Sequence, residues 1–298
     1  MPTSGQFTGT GSPHHDVVLP APRQGEPMST ETGTPYVTSE DLPPYRAVLA
    51  VDAKDFTKTP GRLHQSISGL IPRLVGNAFT RIDQARLWDE PAFFGPTGDG
   101  FAVGLPTHVL PYLIHPLLPE LQRVLGDYNN ERRASEPLIR LRASLNVGPV
   151  KEHENPYLGG NGVARNDTHR LLDSKPVRAI LAAASPQVTF LAAIVSDRVY
   201  GDVVEQGYAG LHPDHFIEVP AVVDGKQFQQ RAWLYLPQPS GNLLGIPDLT
   251  PPPAPDRPER SDSGGAREQS GVHIGTNSGL LSTGTNHGGM HQHLGERR

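Results

Sequence analysis

An α+β fold, a mostly antiparallel sheet with helices on one face, is what this sequence predicts, on three observations. Apolar runs of strand length recur between residues 46 and 236. Between them lie stretches whose apolar residues fall at steps of three and four, and Gly/Pro-rich segments bound the whole at both ends. The 298-residue chain holds 31 prolines and 32 glycines, about a fifth together and short of the roughly 25–30% that marks wholly low-complexity sequence. The expected organisation is therefore a globular domain over 45–240 between a disordered arm, 1–44, and a disordered tail, 241–298.

The first strand is read from Arg46-Ala-Val-Leu-Ala-Val51, which stops at Asp52. A helix follows, because Leu63, Ile67, Leu70, Ile71, Leu74, Val75, Phe79 and Ile82 keep one apolar face over 60–82. Ala92–Phe94 and Phe101–Val103 flank Gly98-Asp99-Gly100, a tight hairpin turn with Asp99 at its tip. A second helix is expected over 108–130, its early part broken by Pro111, Pro116 and Pro119. Residues 138–147 suit a strand closed by Gly148-Pro149, and helices at 163–172 and 177–184, a strand at 189–195 and a hairpin of 216–223 with 231–236 complete the domain. The order β-α-β-β-α-β-α-β with an appended hairpin is that of a ferredoxin-like sandwich.

Composition narrows the function. Without cysteine there is no disulfide scaffold, zinc ribbon or thiol nucleophile. A net charge of −5 without a dense basic stripe argues against general nucleic-acid or anionic-membrane binding. No run approaches the roughly 18 apolar residues of a transmembrane helix, and Met1–Leu19 lacks the basic start and apolar core of a signal peptide. A cytoplasmic protein is expected, with the first 27 residues either a leader of no structural role or a stretch ahead of a true start at Met28. Past Pro239 the chain turns to Pro251-Pro252-Pro253-Ala254-Pro255 and a polar tail. A rough Gly-Thr-Asn-(Ser/His)-Gly repeat in that tail reads as a flexible linker end, a cross-β signalling motif or a docking segment for a protein partner. His287, His291 and His293 add a metal-binding alternative.

Two carboxylates carry the chemistry. Asp52 ends one apolar strand and Asp99 sits between two others. If the first strand pairs beside the hairpin, both project at one end of the sheet, where hard oxygen ligands suit Mg²⁺ or Mn²⁺. Taken singly, each is more often a turn or cap residue. Asn166 and Arg170, at i and i+4, share one helical face; read alone, Arg170 is a helix cation paired with Asp167 or Asp173.

Together these segments resemble the catalytic domain of class III nucleotidyl cyclases. The matching residues are Val51-Asp52-x-x-x-Phe56-Thr57, Gly98-Asp99-Gly100-Phe101, the strand and turn Arg142–Val150, and Asn166-x-x-x-Arg170. The resemblance covers roughly 46–240. It implies that Asp52, Asp99 and the Ala53 carbonyl hold metal, that the loop at Phe56 and Thr57 meets the triphosphate, that Asn166 orients the ribose and that Arg170 stabilises charge at the α-phosphorus. It also implies a head-to-tail homodimer whose two sites each draw the Asp pair and the Asn/Arg pair from different subunits. Adenylate-specific relatives carry a Lys where this chain has Gly95, and an acidic residue where Tyr157 falls. A base smaller than a purine could stack on Tyr157 with Gly95 leaving room. On this count the chain looks similar to the pyrimidine cyclases of bacterial phage defence, which make cyclic UMP or cyclic CMP. A non-catalytic cyclase-like nucleotide sensor is the alternative; a scaffold in which Asp52 and Asp99 are only turn residues is the blandest reading.

Overall fold

The computed structural model describes residues 37, 39–225, 227–241 and 243. The expected arm and tail, with the tail repeat and its histidines, fall almost wholly outside the described residues. Within these, the chain runs β1 (Tyr45–Ala53), α1 (His64–Arg81), α2 (Ala85–Asp89), β2 (Phe93–Pro96), β3 (Gly100–Pro106) and a short turn of helix, α3 (Leu110–Tyr112). Then come α4 (Leu118–Glu131), β4 (Leu141–Pro149), α5 (Val163–Asp173), α6 (Lys175–Ala183), β5 (Leu191–Ser196), a second short turn, α7 (Asp197–Val199), β6 (Phe216–Val222) and β7 (Gln229–Tyr235).

The strands form one sheet in the order β2-β3-β1-β4-β5-β7-β6. Every neighbouring pair is antiparallel except β4 with β5. The first four strands with α1 and α4 make the ferredoxin-like unit that the element order predicts. The expected prolines do interrupt the second long helix: Leu113–Leu117 is a wide turn in which His115 leaves helical geometry, and regular helix resumes at Leu118.

Side chains alternate along β1 and sort the two faces of the sheet. Ala47, Leu49, Val51 and Ala53 join Ile71, Val75 and Phe79 of α1 and Leu121 and Leu125 of α4 in the main core. Val48 and Ala50 point the other way and meet Ala164 and Leu172 of α5. Val177, Ile180 and Leu181 of α6 cover Ala192 and Ile194 of β5 on that second face. The α+β class and the mostly antiparallel sheet are as expected, but the helices lie on both faces rather than one. The reason is the parallel β4–β5 pair. Parallel neighbours need a crossover connection, and with one face already filled by α1 and α4, the crossover α5–α6 packs on the other.

Candidate active site

The register of β1 against β3 sets Asp52 opposite Gly100, so the Asp99 turn lies beside the end of β1, where the Ala53 N–H donates to the Asp99 carbonyl at 2.9 Å. Glycines permit this approach. A Cβ on Gly100 would stand 1.9 Å from the Val51 carbonyl oxygen, and Gly98 holds the turn at φ +91. Ser68 of α1 donates to the Gly98 carbonyl, and Thr97 Oγ1 donates to the Asp99 carboxylate at 3.3 Å.

Asp52 is 6% exposed. β4 brings Arg142 opposite it, and the guanidinium spans the carboxylate, Nε donating to Oδ1 at 2.7 Å and Nη2 to Oδ2. Burial pushes the Asp52 carboxyl up to about 7, against the pull of Arg142, and the neighbouring charges of Asp99 and Asp173 add to the rise. Two carboxylates this close, one desolvated, with the Ala53 backbone at the same strand end, form a hard-oxygen donor set that a divalent cation fits. Among the described residues there is no group of three or more His, Cys, Asp or Glu side chains that could hold a metal. Among the described residues a cation held here would draw on these two carboxylates and backbone oxygen, and Arg142 would have to yield at least one Asp52 oxygen to it.

Past Ala53 the chain turns through Asp55 at φ 61 into a single helical turn, Phe56–Lys58, where Phe56 stacks on His64 at 4.3 Å. This turn, Asp99, Arg142 and one side of α6 enclose a cavity of about 650 Å³ to which Phe56 and Thr57 both contribute. Lys54 and Lys58 each pair with Asp55, whose carboxyl they hold down at about 2. Below the cavity Arg140 is buried and donates to the carbonyls of Thr189 at 2.9 Å, Leu181 at 2.8 Å and Ala184 at 3.1 Å, fastening the end of α6. Desolvation lowers the Arg140 pKa.

The remaining expected residues lie elsewhere. Asn166 is exposed on α5, and Arg170 pairs with Asp167 at 2.7 Å and lies over the Phe228 ring at 5.7 Å. Neither lines the cavity. Gly95 is buried under Arg165 of α5: a Cβ there would meet Arg165 Nη2 at 2.2 Å, and the same guanidinium lies over Phe93. The room expected at Gly95 is thus filled by Arg165 in the single chain. Tyr157 is 67% exposed and its ring meets Phe94, the strand neighbour that points to the opposite face of β2 from Gly95. The expected slot formed jointly by Gly95 and Tyr157 is absent from one protomer.

Sequence reasoning missed Arg142, Arg140, Arg165 and the approach of α6. A signal existed for the first two, since each is a charge at or next to the start of an otherwise apolar strand. The other two depend on which helix crosses which strand.

No protein-family model matches the chain, and no curated protein does. Solved structures similar to it include a bacterial light-regulated adenylyl cyclase, at 14% identity and TM-score 0.44 over 63% of this chain and 88% of that one. Another is the guanylate cyclase domain of RhGC from Catenaria anguillulae in complex with GTP, at 15% and 0.40 over 67% and 100%. Adenylate cyclases from Trypanosoma brucei in their monomeric state match at 14% and 0.40 over 66% and 93%.

Proposed function

We propose that this chain is a metal-dependent nucleotidyl cyclase that converts a nucleoside triphosphate to a 3′,5′-cyclic nucleotide and pyrophosphate. The observation that carries the reading is the meeting of Asp52 and Asp99 at one sheet end, where Asp99 and Ala53 line a cavity rich in cations. Asp52, Asp99 and the Ala53 carbonyl would hold Mg²⁺ or Mn²⁺. A cation held by these residues would lower the pKa of the ribose 3′-hydroxyl and neutralise phosphate charge. The 3′-oxygen then bonds to the α-phosphorus as the bond to the β-phosphate bridging oxygen breaks; pyrophosphate leaves and the hydroxyl proton passes to solvent. Arg142, freed from part of Asp52, is placed to meet phosphate oxygens.

Asn166 and Arg170, outside the cavity of their own chain, serve the partner's site in a head-to-tail homodimer. There Asn166 orients the ribose and Arg170 faces the charge that develops at the α-phosphorus. The substrate is a pyrimidine triphosphate, giving cyclic UMP or cyclic CMP, because Gly95 and Tyr157 replace the residues that read adenine in the family the chain resembles. In this reading the product serves antiviral signalling in the cytoplasm and the tail engages a protein partner. The test is incubation with Mg²⁺ or Mn²⁺ and each of ATP, GTP, CTP and UTP, with products identified by mass spectrometry. A cyclic pyrimidine nucleotide is expected, and turnover of none of the four by folded dimer would sink the proposal.

A second reading, a nucleotide sensor without turnover, is favoured by one observation, that Arg142 covers both Asp52 oxygens. It predicts nucleotide binding without pyrophosphate release.

A further inference from the structure

The chain as a whole is acidic at −5, yet Lys54, Lys58, Arg142, Lys175 and Arg178 line the cavity beside Asp99, against the carboxylates of Asp55, Asp99 and Asp224. Cations concentrated in one concavity of an acidic protein raise the local concentration of anions. Most of these charges have partners: Lys54 and Lys58 pair with Asp55, Arg142 with Asp52, and Lys175 with Asp224 at 2.7 Å. Arg178 differs. Among the described residues its exposed guanidinium has no ion-pair or hydrogen-bond partner, so its planar fork of donors is open to a ligand.

Position supports the same conclusion. Lys175 and Arg178 stand three residues apart on α6 and so share a face, with the small Ala179 and Ala182 leaving room beside them. That face is fixed towards the cavity. Pro176, Val177 and Ile180 are buried on the opposite side of the helix, and Arg140 holds its end through the Leu181 and Ala184 carbonyls. A cavity of about 650 Å³ lies within the usual range for small-molecule sites.

We propose that Lys175 and Arg178 bind the terminal phosphates of a linear polyphosphate, in the same protomer as Asp52 and Asp99. The identification of that polyphosphate as the substrate's triphosphate tail rests on the cyclase reading; the anion site itself rests on the cavity. One protomer then carries a complete phosphate grip, and its partner is needed only for the ribose and the α-phosphorus.

The test is calorimetric titration of the full chain with tripolyphosphate and Mg²⁺ at fixed ionic strength, comparing wild type with Arg178→Ala, Arg178→Glu and Lys175→Ala/Arg178→Ala. Arg86→Ala controls for net charge, since its side chain is exposed and among the described residues its ion pair is with Glu90. Wild type and Arg86→Ala should bind alike, Arg178→Ala about tenfold more weakly, and the other two below detection. In cyclase assays Arg178→Ala should raise the KM for the triphosphate about tenfold with kcat nearly unchanged, as expected for lost uniform binding. Circular dichroism and thermal melting confirm that each variant is folded. No tripolyphosphate binding by wild type, or equal binding by the Arg178 variants, overturns the proposal. Cyclisation with unaltered KM in Lys175→Ala/Arg178→Ala overturns it too and leaves the cyclase reading standing. Binding weakened by Arg178→Ala without turnover of any nucleotide supports the anion site and removes the cyclase reading.

Discussion

The two ends of α5 lie against surfaces of opposite character. At its C-terminal end, Asp52 is buried and doubly bonded to Arg142, and the cavity beyond is walled by charges that mostly pair with one another. Around its N-terminal end Asn166 is exposed, Tyr157, Leu158 and Val163 are 67%, 61% and 69% exposed, and Arg165 roofs Gly95. The first region is complete in a single chain. The second leaves both its polar group and its apolar side chains uncovered, the arrangement expected of a surface whose counterpart is another molecule. In the proposed homodimer that counterpart is the cavity side of a second copy, so one contact would cover the apolar residues and bring Asn166 and Arg170 to the partner's carboxylates.

This contrast can be broken at several points. Asp99→Ala removes a carboxylate from the complete region and should cut pyrophosphate release about 10³-fold. Gly100→Ala is next, because its Cβ collides with the Val51 carbonyl oxygen at 1.9 Å. Parting β1 from β3 should cost about 3 kcal/mol, read as a lower urea midpoint. Arg170→Ala, in the last turn of α5, tests the face assigned to the partner's site: kcat should fall about 10²-fold while tripolyphosphate affinity holds, since Arg170 does not line the cavity. Equal losses in both measurements would erase the distinction between the regions. Arg140→Ala leaves the Thr189, Leu181 and Ala184 carbonyls without this donor. It should destabilise the fold by about 2 kcal/mol and weaken tripolyphosphate binding as α6 loosens, both visible in melting and titration. Arg86→Ala, at an exposed helical ion pair, should change stability by no more than about 0.5 kcal/mol.

The same two regions differ in how far they could be read from sequence. Strands and long helices were legible because each declares itself locally: the apolar face of α1 needs only the spacing of Ile67, Ile71, Leu74, Val75 and Phe79. The meeting of Asp52 with Asp99 was legible too, since a strand that pairs with a hairpin brings its end beside the hairpin turn. The pairing of Asp52 with Arg142 was not. It depends on β4 lying on the other side of β1 in a register that sets those two residues opposite, and a one-residue slip would turn Arg142 to the other face. Helices on both faces were missed for a related reason, because nothing local in β4 or β5 announces that they run parallel. Lys175 and Arg178 carry no local signal that sets them apart from other helix charges. Only the path of α6 across the second face brings them to the cavity, and the same holds for Arg165 over Gly95. The short turns Ala85–Asp89 and Asp197–Val199 are below the length at which periodicity distinguishes a helix.

The most direct measurement of shared sites is complementation. Asp99→Ala and Arg170→Ala chains, each inactive or nearly so, are mixed and allowed to exchange subunits before pyrophosphate release is assayed. If the two regions act across a dimer, about half of the dimers are mixed and each mixed dimer keeps one of its two sites intact, so activity should return to about a quarter of wild type. Mixed dimers seen by native mass spectrometry with no return of activity would contradict the assignment of Asp99 and Arg170 to one site shared between subunits.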